Sequence, residues 1–418
     1  MKRLGLFIPC ICLFFSLLFC VPAAFAISPY VPDMPDEFIE LCPADLYPDF
    51  EYNGLQPSCA ACPHPNCDPE YSFFAKGGKK NRLVIYFQGG GACWDSKNCL
   101  YAPTYSQAAP PLADFDNTTG KGIFDTDNPQ NPFKNWFFVY LPYCTGDVHW
   151  GANDQPYIDY LGIFDDQFGT IDIRHRGFVN FQVVLKWIKE NFAGPEKIFI
   201  TGSSAGGYGA IMGFPYVKEA YPNASVYVVG DAANGVVDDY FQNQSIYNWN
   251  IQIPTWVPGF EGGYDPSTKM EDIYVNFADY YSSSLFGQFT TAWDWNQTFF
   301  YNVMMVIGNY STAPPPANWV PHVEEWNNYF PVWCAWNDQM LEMSYNAADA
   351  APNYKYYIAA GDYHTIMMRP QFYTEDSGGM SFAKWIKAMI NKPFYKDNKG
   401  GQWQNMKCQD CDDPMPCP

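Results

Sequence analysis

From about Arg82 onward the chain alternates short apolar runs with amphipathic stretches. The runs fall at residues 83–87, 136–141, 197–201, 226–230 and 354–359, each bounded by glycine or proline. Continuous apolar runs of this length are what strands buried on both faces require, so the pattern predicts parallel strands. Between the second and third runs, residues 179–192 place Phe181, Val184, Leu185, Ile188 and Phe192 at helical spacing. Lys186, Lys189 and Glu190 lie on the opposite side, as on a surface helix with one buried stripe. Strand, helix, strand in that order implies right-handed crossovers. The expectation is an α/β domain over residues 76–394, with a mostly parallel sheet and helices on both faces. Residues 27–75, rich in proline and cysteine and without helical periodicity, read as a lead-in that wraps the core. Residues 232–285 and the Pro314-Pro315-Pro316 stretch read as irregular, cap-like insertions. Residues 395–418 form a polar tail that contains cysteine.

Composition narrows the classes of function. With 48% hydrophobic and 19% aromatic residues the 418-residue chain can bury a large core, which excludes disorder. The formal charge of −20, from 24 basic and 44 acidic residues, argues against nucleic-acid binding and against adhesion to anionic surfaces. Residues 1–26 read as an export signal: Lys2 and Arg3, an apolar run, then Ala24-Phe25-Ala26. Cleavage there would start the mature chain at Ile27 and, by removing two basic residues from 24, leave a charge of −22. No later apolar stretch is long enough to span a bilayer, so no stable membrane insertion is expected.

Export makes disulfides the expected state of the eleven cysteines beyond residue 26. The spacings Cys59, Cys62, Cys67 and Cys408, Cys411, Cys417 would also suit zinc, but an oxidising compartment favours cystines. An odd count leaves one thiol over, and Cys144, just after an apolar run, is the expected buried free one. Asn117, Asn223, Asn243, Asn296 and Asn309 carry Asn-x-Ser/Thr signals.

The segment with the most chemical content is Ile198-Phe199-Ile200-Thr201-Gly202-Ser203-Ser204-Ala205-Gly206-Gly207. Gly-x-Ser-x-Gly directly after an apolar strand, and before residues small enough to open a helix, describes a strained turn that presents Ser204 as a nucleophile in an α/β-hydrolase-like fold. The plainer alternative is a tight strand-to-helix turn or an anion-binding helix start. A serine nucleophile needs a base, and chain order in such folds is serine, acid, histidine. That order leaves His322 and His364. His364 follows the run at 354–359 and a glycine turn, as a base on a loop at a sheet edge should, whereas no strand leads into His322. For the acid, Asp231 ends the run at 226–230, Asp294 follows an apolar stretch at 285–292, and Asp338 and Asp362 are further candidates; spacing leaves the choice open. Phe87-Gln88-Gly89-Gly90-Gly91-Ala92-Cys93-Trp94 follows the first strand, and amides of Gly90, Gly91 and Ala205 are candidates for an oxyanion hole. His149 and Asp147 are expected to brace these loops. Trp94, Trp150, Trp293 and Trp295 divide evenly between a sugar-stacking wall and the core.

Together, Phe87 to Trp94, Tyr140-Leu141-Pro142-Tyr143-Cys144-Thr145-Gly146-Asp147-Val148-His149, Arg176-Gly177, the Ser204 elbow and Gly361-Asp362-Tyr363-His364-Thr365 resemble the pectin acetylesterase family, which also contains the Notum carboxylesterases. The resemblance implies that Ser204 is the nucleophile and His364 the base. It also implies that Asp294, in Ala292-Trp293-Asp294-Trp295-Asn296-Gln297, is the acid, with Asp231 the runner-up. It implies a secreted serine esterase that removes acyl groups, foremost O-acetyl from a polysaccharide, with no metal and no organic cofactor. A Notum-like fatty-acyl esterase and a catalytically silent glycan-binding protein on the same fold are the alternatives.

Charge bears on the substrate. A polyanionic glycan would be repelled unless cations gathered at the site. The groups Lys76, Lys79, Lys80, Arg82 and Arg174, Arg176 are the tightest, and the first precedes a strand, at the end away from the elbow. A neutral acetylated glycan or a small acyl ester is therefore expected in preference to de-methylated pectin.

Overall fold

The computed structural model describes residues 32–111, 121–164, 169–391, 403–409 and 411. The export segment 1–26, Asn117 and Cys417 lie outside these residues, as does most of the tail.

The strands in chain order are β1 (Phe38–Leu41), β2 (Phe73–Lys76), β3 (Arg82–Phe87), β4 (Phe137–Leu141), β5 (Asn153–Ile158), β6 (Thr170–His175), β7 (Lys197–Ser203), β8 (Ser225–Asp231), β9 (Leu285–Thr291), β10 (Tyr354–Ala359), β11 (Asp376–Ser377), β12 (Met380–Ser381) and β13 (Met406–Lys407). Nine of them form one sheet in the order β1-β2-β4-β3-β7-β8-β9-β10-β13. From β4 to β13 every neighbouring pair is parallel, while β1 and β2 add an antiparallel edge. The described helices of ten or more residues are α1 (Gly177–Asn191), α2 (Ala205–Ala220), α3 (Met270–Tyr280), α4 (Trp295–Tyr310), α5 (Trp333–Ala350) and α6 (Phe382–Asn391).

Strand side chains alternate between the two faces. Leu83, Ile85, Phe87, Val139, Leu141, Ile198, Ile200 and Val228 join one core with Phe181, Val184 and Ile188 of α1, Ile211 and Phe214 of α2, and Ile273 and Phe277 of α3. Val84, Tyr86, Phe138, Tyr140, Phe199 and Val229 face the other way, onto Phe382, Trp385, Ile386 and Met389 of α6. With both faces covered, polar strand residues would be stranded, which is why these strands read as unbroken apolar runs. This mostly parallel sheet with helices on both sides is the α/β-hydrolase-like fold.

Three expectations change. The lead-in does more than wrap: Phe73 and Phe74, fully buried, belong to β2 and extend the sheet. The insertion at 232–285 is not irregular throughout, since α3 buries Met270, Ile273, Tyr274 and Phe277 at helical spacing against the core. Cys144 is not a free thiol but is bonded to Cys59. The lead-in returns across the end of β4, where the Ala60 amide donates to the Cys144 carbonyl at 2.9 Å, and the two cysteine Cα atoms come within 5.0 Å. Cys62–Cys67, Cys93–Cys99 and Cys408–Cys411 are also bonded, in place of the zinc alternative. Cys334 is disulfide-bonded as well, and Cys42 is the free cysteine among the described residues. No described helix is long and apolar enough to cross a membrane.

Candidate active site

The site lies at the carboxyl end of the central strands. β7 runs straight into Ser204, which holds φ 57° and ψ −127°, and α2 begins at the next residue. A non-glycine residue in so sparsely populated a region costs on the order of 1–3 kcal/mol, so the surroundings must over-determine it. They do: the Ser204 amide donates to the Asp231 carbonyl at 2.7 Å, and its carbonyl accepts from Gly207 at 2.8 Å. The flanking glycines are steric necessities. A Cβ at Gly202 would lie 2.2 Å from the Gly206 carbonyl oxygen, and one at Gly206 would lie 2.0 Å from that of Phe87.

His364 reaches the same place from the loop after β10, entered through Gly361 at φ 89°. Its Nδ1 lies 2.9 Å from both carboxylate oxygens of Asp294, and its Nε2 is buried with no partner among the described residues. Asp294 is fully buried at the start of α4, where its Oδ1 accepts from the Asn296 and Gln297 amides at 3.0 Å each. Its Oδ2 accepts from Gln297 Nε2 at 3.0 Å. Gln297 is fixed in turn by Thr290 Oγ1 at 3.1 Å and by the Asn234 amide, which donates to its Oε1 at 2.9 Å. The carboxylate is thus oriented from three sides, and its charge lies at a helix N-terminus.

Asp231 is placed elsewhere. Its Oδ2 accepts from Ser203 Oγ at 2.6 Å and from the Met367 amide at 2.9 Å, and both oxygens lie 3.0 Å from the Ile366 amide. Burial pushes its carboxyl above the ordinary range, although the Ser203 hydroxyl and the two amides pull it back. Asp231 therefore ties the elbow to the loop that carries His364, without touching the imidazole.

The glycine loop follows β3. Gly91 at φ 76° and Ala205 line the cavity that also holds Ser204 and His364. No described residue accepts from the amides of Gly90, Gly91 or Ala205. His149 Nε2 donates to the Gln88 carbonyl at 2.9 Å, and burial lowers its pKa to about 4, which keeps the ring neutral. Asp147, fully buried, accepts from Thr145 Oγ1 at 2.6 Å and from the Gly177 amide at 2.7 Å, and burial raises its carboxyl to about 6. Both brace the loop without lining the cavity. His322 is remote from Ser204 in role: its Nε2 bonds to Ala317 O at 2.8 Å.

The cavity is open to solvent, and its space with the solvent at the mouth included is about 840 Å³. Val148, Phe241, Ile246, Trp249, Ile273 and Met304 are among its walls, and among the described residues no Lys, Arg, Asp or Glu lines it. Of the four tryptophans singled out above, Trp150 lines this cavity, Trp94 and Trp293 are buried, and Trp295 is exposed. The basic residue Arg82 opens β3 and Lys76 closes the antiparallel β2, so both lie at the sheet end opposite the elbow. One described group of three potential metal ligands comes together, Cys93, Cys99 and His175, but the two sulfurs are bonded to each other. Sequence reasoning quoted Gln297 only within the Asp294 segment and gave it no role, and it did not find the Ser203–Asp231 link.

A family model described as pectinacetylesterase matches residues 66–253, which include the glycine loop and Ser204 but end before Asp294 and His364. The palmitoleoyl-protein carboxylesterase NOTUM of Mus musculus is 26% identical over 158 residues, 36% of this chain and 29% of the relative. The Homo sapiens protein of the same description is 26% identical over 158 residues, 30% of its length. Palmitoleoyl-protein carboxylesterase notum1a of Danio rerio is 26% identical over 176 residues, 41% of this chain and 32% of the relative. These matches cover less than a third of each relative's length. Residues 66–253, with their strand, glycine loop and serine elbow, are thus similar to the pectinacetylesterase family.

Proposed function

We propose that this chain is an exported serine carboxylic ester hydrolase. Ser204 Oγ attacks the ester carbonyl while His364 Nε2 takes its proton. Asp294 holds the imidazole by Nδ1 and stabilises the positive charge it gains. Amides of Gly90, Gly91 and Ala205 receive the oxyanion. His364 then returns the proton to the departing alcohol, and water, activated by the same nitrogen, releases the acid from Ser204. The several disulfides accord with export to an oxidising compartment.

The observation that carries the choice of acyl group is the cavity beside Ser204. Its walls include Phe241, Ile246, Trp249, Ile273 and Met304, more apolar surface than the one methyl of an acetyl group can cover. They suit an aliphatic chain, which favours a longer acyl group over the acetyl expected from the sequence; the palmitoleoyl group in the relatives' descriptions is of that kind. Each methylene buried contributes up to about 0.8 kcal/mol, roughly fourfold in kcat/KM. Across p-nitrophenyl acetate, butyrate, octanoate and dodecanoate, kcat/KM is expected to rise at least as far as octanoate. A maximum at acetate, falling with each longer chain, would return the reading to removal of O-acetyl groups.

A further inference from the structure

The segment 239–249 is a partition. Asp239–Asn243 is α-helical and Ser245–Trp249 forms a 3-10 turn, so the segment presents two sides, with same-side spacing that shifts where the geometry changes. Phe241, Ile246 and Trp249 face the apolar cavity, whereas Tyr240, Gln244 and Asn248 face a second, open pocket of about 640 Å³ with the solvent at its mouth included. The partition is fixed to the glycine loop: Asn248 Nδ2 donates to the Trp94 carbonyl at 2.8 Å, and Trp249 Nε1 to the Cys93 carbonyl at 2.8 Å. Trp94, three residues after Gly91, lines the second pocket and packs edge-on against Phe241 at 4.9 Å. The Trp94–Phe241 ring contact thus joins a residue of one chamber to a residue of the other.

We propose that this second pocket binds an uncharged sugar unit of the substrate; the proposal rests on the esterase reading and assigns the ester's polar portion. The lining supplies what a pyranose needs. Tyr160 and Tyr240 offer flat rings for its C–H face, and Tyr160 is held parallel to Trp319, with ring centres 5.9 Å apart and 9° between planes. The amides of Gln244 and Asn248 and the Asp95 carboxylate offer donors and acceptors for hydroxyls. An aliphatic chain placed there would strip water from these groups without replacing it. The charge sign selects against uronic acids: among the described residues no Lys, Arg or His lines the pocket. Lys97, behind it and buried, is already paired with Asp95 at 3.2 Å. Burial, and after it the Asp95 carboxylate, raise the hydroxyls of Tyr160 and Tyr240, so they stay protonated donors.

The test is calorimetric binding of unacylated oligosaccharides to the wild-type full chain, which involves no turnover. Among xylohexaose, cellohexaose and mannohexaose, at least one is expected to bind saturably, and hexagalacturonate at least about tenfold more weakly. Tyr160→Ala should weaken that binding about tenfold, the order expected for a lost aromatic platform, and Gln244→Ala, at an exposed position, should weaken it more modestly. Both should leave turnover of p-nitrophenyl octanoate unchanged. Three outcomes would each overturn the proposal: no saturable binding of any neutral probe at millimolar concentration, equal or tighter binding of hexagalacturonate, or unaltered binding in both variants. None of them bears on hydrolysis of p-nitrophenyl esters, so failure here is distinct from failure of the esterase reading.

Discussion

Ser204→Ala is expected to lower kcat/KM for p-nitrophenyl esters by on the order of 10⁴-fold to 10⁶-fold, leaving the melting temperature nearly unchanged. The loss is large because no other hydroxyl replaces Ser204: the neighbouring Ser203 donates to Asp231 at 2.6 Å and accepts from Tyr86 at 2.8 Å. Stability should survive because alanine carries the same Cβ, so it meets the same backbone cost at φ 57° that serine already bears. No side-chain cap is lost either, since Ser204 makes none to α2. Activity within tenfold of wild type in a folded variant would contradict the assignment. Circular dichroism melts beside the rate assay separate the two readings.

The second large effect is expected at Asp294. Asp294→Asn keeps the size of the side chain and remains a good helix cap for α4, so the fold should persist. It removes the negative charge 2.9 Å from His364 Nδ1, and an asparagine that turns its NH₂ toward that nitrogen holds the wrong tautomer. A loss in kcat on the order of 10⁴-fold follows. Asp231→Asn should behave differently. Its carboxylate accepts from Ser203, Ile366 and Met367, and an amide cannot accept at every one of those positions. Leaving a buried donor unmet costs about 1–3 kcal/mol. The expected result is a lower melting temperature and a milder loss of kcat, through displacement of the His364 loop. A larger loss of kcat from Asp231→Asn than from Asp294→Asn, with both proteins folded, would transfer the role of acid to Asp231.

The difficulty of choosing between these carboxylates from sequence has a structural reason. Asp231 ends β8, in register with Phe289 of the neighbouring parallel strand β9, and Asp294 follows shortly after β9 ends at Thr291, so both arrive at the same sheet edge and only the path of the following chain separates them. After Asp294 the chain turns directly into α4 and leaves the carboxylate facing His364; after Asp231 it continues past Ala232 at φ 56°. Strand β9 itself is harder to see than its neighbours because Gly287 and Gln288 interrupt its apolar run. Gln288 is tolerated inside because Tyr354 donates to its Oε1 and its Nε2 donates to the Ala233 carbonyl at 3.0 Å. By contrast, the elbow was legible because Gly202, Ser204 and Gly206 stand at fixed spacing in one short segment directly after an apolar strand. Partner assignment for Cys144 was not, since Cys59 lies 85 residues away in sequence and only the returning lead-in brings it near. The partition at 239–249 escaped for a related reason: its two faces follow helical spacing across a switch from α to 3-10 geometry, too short for a clear period.

The central claim is that Ser204 is a nucleophile activated by His364, and covalent labelling tests it most directly. Intact-protein and peptide mass spectrometry after exposure to a fluorophosphonate should find one adduct per chain, on Ser204, with the adduct abolished in Ser204→Ala and formed far more slowly in His364→Ala. No adduct on the active wild-type protein, or an adduct on another residue with Ser204 unmodified, would contradict the account.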